Sequence, residues 1–248
     1  MLADPVLRLG VQGSTAVARL LLDQAAAGNL EAQARLGQAL LDGHGLARDP
    51  VLALRWFRIA AGHGHLAALN MVGRCLELGW GCAPDLPGAA RHYRAAAERG
   101  LDWGQYNYAN LLSQGRGVAR DMPQALAWYQ RAADAGHAKA MNLVGRFHEE
   151  GWVGEADADL AFNWFQRSAL AGDFRGQCSY AAMLVRRGNP EEAAKWVMRA
   201  TRTATPAFLR TIREAVACLP AALFAPVIDA IDHRLACGNV PAGAGETG

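Results

Sequence analysis

Gly28, Gly64, Gly100, Gly136 and Gly172 stand at a constant step of 36 residues. A fixed period of that length constrains the fold more than any local propensity. Each copy is one supersecondary unit too small to bury its own apolar face, so neighbouring copies must stack. The stretch Gly64 to Arg99 shows what the unit is. Ala68, Leu69, Val72 and Leu76 recur at helical spacing and share one face of a first helix. Gly79 and Gly81 break it and allow a tight turn. Asp85 then offers a capping oxygen to a second helix with Pro87 in its first turn. Ala89, Tyr93, Ala96 and Ala97 form the apolar stripe of that second helix, and Gly100 closes it.

The register holds in the other copies. Gly37, Gly73, Ala109, Gly145 and Ala181 share one position of the first helix, where only a small side chain lets the partner helix approach closely. The pairs Trp56–Phe57, His92–Tyr93, Trp128–Tyr129 and Trp164–Phe165 share one place in the second helix, and Asp49, Asp85, Asp121 and Asp157 mark its start.

Leu36–Gly37, the turn Gly115-Arg116-Gly117-Val118, and Asp121 with Ala125, Trp128–Tyr129 and Ala132–Ala133 together resemble the Sel1-like repeat, a branch of the tetratricopeptide-like superfamily. The resemblance runs from about Gly28 to Ala200. It implies an all-α fold, a right-handed α-solenoid of antiparallel helix pairs. It also implies scaffolding or adaptor work more often than catalysis.

On this register residues 1–13 read as a poorly ordered segment and 14–27 as a capping half-repeat. Five repeats follow at 28–63, 64–99, 100–135, 136–171 and 172–200. The fifth is shortened, with Asn189, Pro190 and Glu192 supplying a new helix start. Residues 201–237 read as a helical C-terminal cap and 238–248 as a flexible tail. In the cap, Thr205–Pro206 opens one helix, and a second is expected to start near Pro226. Val153 stands where Gly45, Gly81 and Gly117 stand in other copies, so the fourth turn must take a different path.

Composition narrows the function. A net charge of +2 provides no global field for nucleic acid or an anionic membrane, so neither nucleic-acid binding nor membrane insertion is expected. Five irregularly spaced cysteines do not make a disulfide framework, which points to free thiols and the cytoplasm. No Walker loop, dinucleotide fingerprint, nucleophile elbow or Cys-x-x-Cys is present, so no cofactor is expected. His148-Glu149-Glu150 opens like a zinc-protease helix, but Trp152 occupies the place of the second histidine. His65 and His137 share a helix-start position and read as caps rather than metal ligands. His148 replaces Leu40, Leu76, Leu112 and Leu184 at a core-facing position, and reads as a buried, hydrogen-bonded histidine or, more sharply, as a pH-sensitive core residue or a ligand contact.

By resemblance to tetratricopeptide grooves, the first helices line a concave surface. Its inward positions lie three before and one after the small residue. That places Asn70 and Arg74, Tyr106 and Asn110, and Asn142 and Arg146 along a groove, with Glu77 and Glu149 one turn further on. Asparagine can donate to and accept from a peptide backbone, and arginine presents a fork to a carboxylate. The expected function is a non-catalytic scaffold or adaptor taking a protein or peptide partner in that groove. The alternative is a hydrolase-type enzyme drawing acid–base groups from Glu77, His148 and Glu149.

Overall fold

The computed structural model describes residues 16–237. Among them are thirteen helices and no strand. The chain divides between Ala132 and Ala133 into two compact units. The first holds α1 (Ala16–Ala26), α2 (Leu30–Asp42), α3 (Pro50–Gly62), α4 (Leu66–Leu78), α5 (Leu86–Glu98), α6 (Asp102–Gln114) and most of α7 (Met122–Asp134). The second holds α8 (Ala138–Glu150), α9 (Ala158–Leu170), α10 (Phe174–Arg186), α11 (Pro190–Thr201), α12 (Pro206–Val216) and α13 (Ala221–Cys237). The expected segments 1–13 and 238–248 lie outside the described residues.

Even-numbered helices from α2 to α10 are the first helices of the pairs, and α3 to α11 the second. Their ends are set by local chemistry. Asp49, Asp85, Asp121, Asp157 and Asn189 each accept a backbone N–H of the first turn of a second helix. Asn29, His65, His137 and Asp173 do the same for first helices. The two histidines accept through Nδ1, so each carries its proton on Nε2. α2, α4, α6 and α8 all end on a left-handed glycine, Gly43, Gly79, Gly115 and Gly151, whose N–H returns to the carbonyl four residues back. In the fourth turn the second positive φ moves from the position of Val153 to Gly154, at 93°.

The small-residue position works as the register predicts. A Cβ on Gly37, Gly73 or Gly145 would lie 2.6–2.7 Å from the ring of Phe57, Tyr93 or Phe165. Those rings are 0–1 % exposed. Where the small residue is Ala181, the facing position is the smaller Val197, four residues early because of the shortened loop.

A second period lies over the first. Gln33, Gln105 and Gln177 recur at 72 residues, two repeats, and all are buried. Each donates Nε2–H to a carbonyl near the end of the preceding second helix, Ala25, Ala97 or Ala169, at 3.1–3.4 Å. Leu69 and Met141 replace them in the alternate copies. The glutamine tie from a first helix to the preceding second helix is thus present in the odd copies and missing at the same position in the even ones.

The C-terminal cap corrects one boundary. The last helix begins at Ala221, not near Pro226, and carries Pro226 inside it. The proline falls early in the helix and is exposed, while Phe224, Val227 and Ile231 line the buried stripe. At the sixth position of the helix it removes the N–H that would bond the Ala222 carbonyl, and the apolar stripe holds the helix through that gap. That stripe joins Leu209, Ile212 and Val216 of α12 and Trp196 and Ala200 of α11 in one core.

Candidate functional site

The eight candidate groove residues all sit on first helices, at positions the 36-residue register makes equivalent. In the N-terminal unit, α4 carries Asn70, Arg74 and Glu77, and α6 carries Tyr106 and Asn110. Asn70, placed along the groove by the sequence, is buried, 6 % exposed, and its Oδ1 accepts from Asn107 Nδ2 at 2.9 Å. Its acceptor therefore serves the packing of α4 against α6. Arg74 is half-buried, with its guanidinium 5.1 Å above the ring of Trp80 and Nη1 3.8 Å from Met71 Sδ. Glu77 accepts from the Tyr93 hydroxyl at 2.8 Å and from Arg116 Nη1 at 2.9 Å.

Tyr106 is half-buried, its ring 6.0 Å from that of Tyr129 and 6.1 Å from that of Trp103. Asn110 Oδ1 accepts from the Tyr129 hydroxyl at 2.6 Å. Two second-helix tyrosines thus reach across their pair to hold polar groups of the first helices. Burial, then Glu77, pushes the Tyr93 phenol far above its usual range, and burial does the same to Tyr129. Both remain hydroxyl donors at any physiological pH.

In the C-terminal unit, α8 repeats the set. Asn142 is buried, 5 % exposed, and its Oδ1 has no hydrogen-bond partner among the described residues. The residue in the place of Asn107 is Ser179, too short to bridge. Arg146 is exposed and stacks 5.1 Å over Trp152. Glu149 is half-buried and ion-paired with Arg186 of α10. His148 beside it is half-buried, and its carbonyl receives the Asp157 N–H at 2.8 Å.

The polar set stops at α10. The positions of Asn142, Arg146 and Glu149 become Cys178, Ala182 and Val185. With Phe208, Ile212 and Leu219 they line an apolar cleft of about 510 Å³. Burial pushes the Cys178 thiol up to about 12. The five cysteines are free.

Three participants escaped the sequence reading: Asn107, Arg116 and Arg186. Asn107 lies one residue off the equivalent positions. The two arginines lie in a turn and at a helix end, where a 36-residue register places no groove. The spacings Glu77–Arg116 and Glu149–Arg186, 39 and 37 residues, were the available signal. Among the described residues no cluster of three or more histidine, cysteine, aspartate or glutamate side chains is placed to hold a metal, and no helix is long and apolar enough to cross a membrane.

The fold recurs in solved structures. A Sel1 repeat protein from Oxalobacter formigenes is 24 % identical over 86 % of this chain and 90 % of its own, with a TM-score of 0.75. c5321, a protective antigen of uropathogenic Escherichia coli with an SLR fold, is 24 % identical over 89 % of this chain, with a TM-score of 0.68. The present chain covers 48 % of that longer protein. The immunity protein Pa5087 from Pseudomonas aeruginosa is 14 % identical over 85 % of this chain and 82 % of its own, with a TM-score of 0.60. No curated protein matches the chain. The family model for the Sel1 repeat matches residues 30–65, 66–101, 104–137 and 138–173, more than half of the sequence, so the chain belongs to the Sel1 repeat family.

Proposed function

We propose that the protein is a non-catalytic scaffold or adaptor that binds a peptide or protein partner along its first-helix face. The observation that carries this reading is the repetition of one polar set, Asn–Arg–Glu with a turn tryptophan, on α4 and again on α8. In each copy the guanidinium lies 5.1 Å from the centre of the tryptophan ring. Side chains so held are pre-organised for a ligand, which lowers the ordering cost of binding. Arg74, Tyr106, Asn110 and Arg146 retain accessible surface for contact. The buried asparagines hold the helices that present them.

A protein partner fits better than nucleic acid because the net charge is only +2. Free thiols favour a reducing compartment such as the cytoplasm. The test is to capture the partner from native extract and titrate it against wild type and the double variant Arg74→Ala, Arg146→Ala. Binding should weaken at least tenfold with helicity intact. Equal affinity would move the interface off this face.

A further inference from the structure

We propose that the turn between α2 and α3, together with the inner face of α4, forms a pocket for a carboxylate, and that it takes an acidic side chain of a polypeptide ligand. The proposal deepens the reading above by naming the ligand chemistry at one end of the face.

A cleft of about 560 Å³ lies here, and Arg48, Arg74 and Trp80 line it with Gln38, Asp42 and His44. Neither guanidinium has a carboxylate partner among the described residues. Arg48 spends its Nε–H on the Leu41 carbonyl at 3.0 Å, which anchors it to the end of α2 and leaves both terminal nitrogens. Arg74 sits 5.1 Å from the centre of the Trp80 ring and makes a weak contact to Met71 sulfur. The single carboxylate in the cleft, Asp42, is held by Gln38 Nε2 at 2.7 Å and faces His44 Nδ1 at 3.9 Å. The arginine and aspartate charge lining the cleft is therefore two positive against one negative.

The other copies show what is missing. In the second and fourth repeats, Glu77 and Glu149 quench Arg116 and Arg186. The equivalent position in the first repeat is Leu41. Arg48 and Arg74 stand at other positions of the register than Arg116 and Arg186, whose places here are taken by Trp80 and Leu78. With Leu41 in place of the glutamate, this end of the molecule offers them no carboxylate, and a ligand carboxylate supplies one. Asp42 discriminates against a dianion: a phosphate group would set two negative charges beside it, a carboxylate only one. Trp80 offers an apolar edge to the methylene stem of a glutamate.

The probe is an end-capped tetraglutamate peptide, with tetraglutamine of the same design as reference. Titration follows the indole N–H resonance of Trp80, assigned from Trp80→Phe, and calorimetry gives the Kd. The expected result is a saturable shift at Trp80 with tetraglutamate alone, weakening as salt rises. Arg48→Gln and Arg74→Gln should each raise the Kd at least tenfold. Asp42→Asn, which removes the opposing charge, should lower it. That opposite sign keeps the test decisive if Arg48→Gln fails to fold. An unmoved Trp80 resonance, or a Kd indifferent to all three changes, overturns the pocket. Inorganic phosphate binding there as tightly as tetraglutamate overturns the carboxylate assignment in favour of a phosphorylated ligand. If tetraglutamate fails while the captured partner still depends on Arg74 and Arg146, only the pocket falls. If tetraglutamate binds while the partner ignores both arginines, the scaffold reading falls and the pocket stands.

Discussion

Tyr93 donates its hydroxyl to Glu77 at 2.8 Å, so a second-helix core residue holds a first-helix carboxylate in place. The other Glu77 oxygen, Oε1, receives Arg116 Nη1 from the next copy at 2.9 Å. One glutamate therefore links the core of its own repeat to the turn of its neighbour.

This link sets an alkaline limit. The folded-state pKa of Tyr93 is raised, first by burial and then by Glu77, above the ordinary value of about 10. Its contribution is complete below the unfolded pKa. Above about 10 the unfolded chain releases a proton that the folded chain keeps, so stability falls as pH rises. Tyr93→Phe should cost about 1 kcal/mol at neutral pH and flatten part of the loss between about pH 10 and 11. Urea unfolding at both ends of that range measures it.

The small-residue register predicts a graded response at Gly73. A methyl there meets the Tyr93 ring at 2.7 Å, so Gly73→Ala should destabilise by about 1–3 kcal/mol and Gly73→Leu by more. Ala109 faces Tyr129 in the next copy, so the fold accommodates one methyl where both helices have adjusted. An unchanged denaturation midpoint for Gly73→Leu would refute the helix-pair packing described above.

Caps give a third expectation. His137 is 5 % exposed and accepts the Ala140 N–H through Nδ1. His137→Asn keeps an acceptor at the helix start. His137→Ala leaves that amide unsatisfied and should lower stability by about 1 kcal/mol relative to His137→Asn. Thermal melts of the two variants side by side isolate the cap from the loss of ring packing.

Thiol reactivity follows burial. Cys75 and Cys178 are held protonated, their thiols pushed up by burial to about 11 and about 12. Cys218 and Cys237 are exposed. Iodoacetamide at neutral pH should therefore label Cys218 and Cys237 first and reach Cys75 and Cys178 only on unfolding, read by peptide mass spectrometry. Reductant should leave the melting temperature unchanged.

The features legible in the sequence are those that recur. Gly73 against Tyr93, Asp85 as a cap and the left-handed Gly79 each appear in several copies, so the register exposes them despite variable neighbours. The two-repeat step of Gln33, Gln105 and Gln177 was equally present, but a 36-residue alignment averages it away. Depth was not legible. A groove rule borrowed from a related repeat gives the face on which Asn70 sits, and how closely α6 packs over it decides that it is buried. Arg48 was hidden for another reason: a turn residue has no helical phase, and only the path of the turn brings it beside Arg74.

The buried asparagines distinguish a structural from a ligand-facing role. Asn70 Oδ1 receives Asn107 Nδ2, whereas Asn142 Oδ1 has no hydrogen-bond partner among the described residues. Removing Asn70 strands a partly buried amide on α6; removing Asn142 strands nothing comparable, because Ser179 stands opposite. Asn70→Ala should therefore cost about 1–2 kcal/mol, and Asn142→Ala less. In a double-mutant cycle, Asn70→Ala with Asn107→Ala should cost less than the sum of the two single changes, by about 0.5–1 kcal/mol, since the second change no longer breaks a bond. Asn142→Ala with Ser179→Ala should be additive within error. Additivity at Asn70 and Asn107 would mean that the bond contributes nothing, and Asn70 would return to the face as a group available to a ligand.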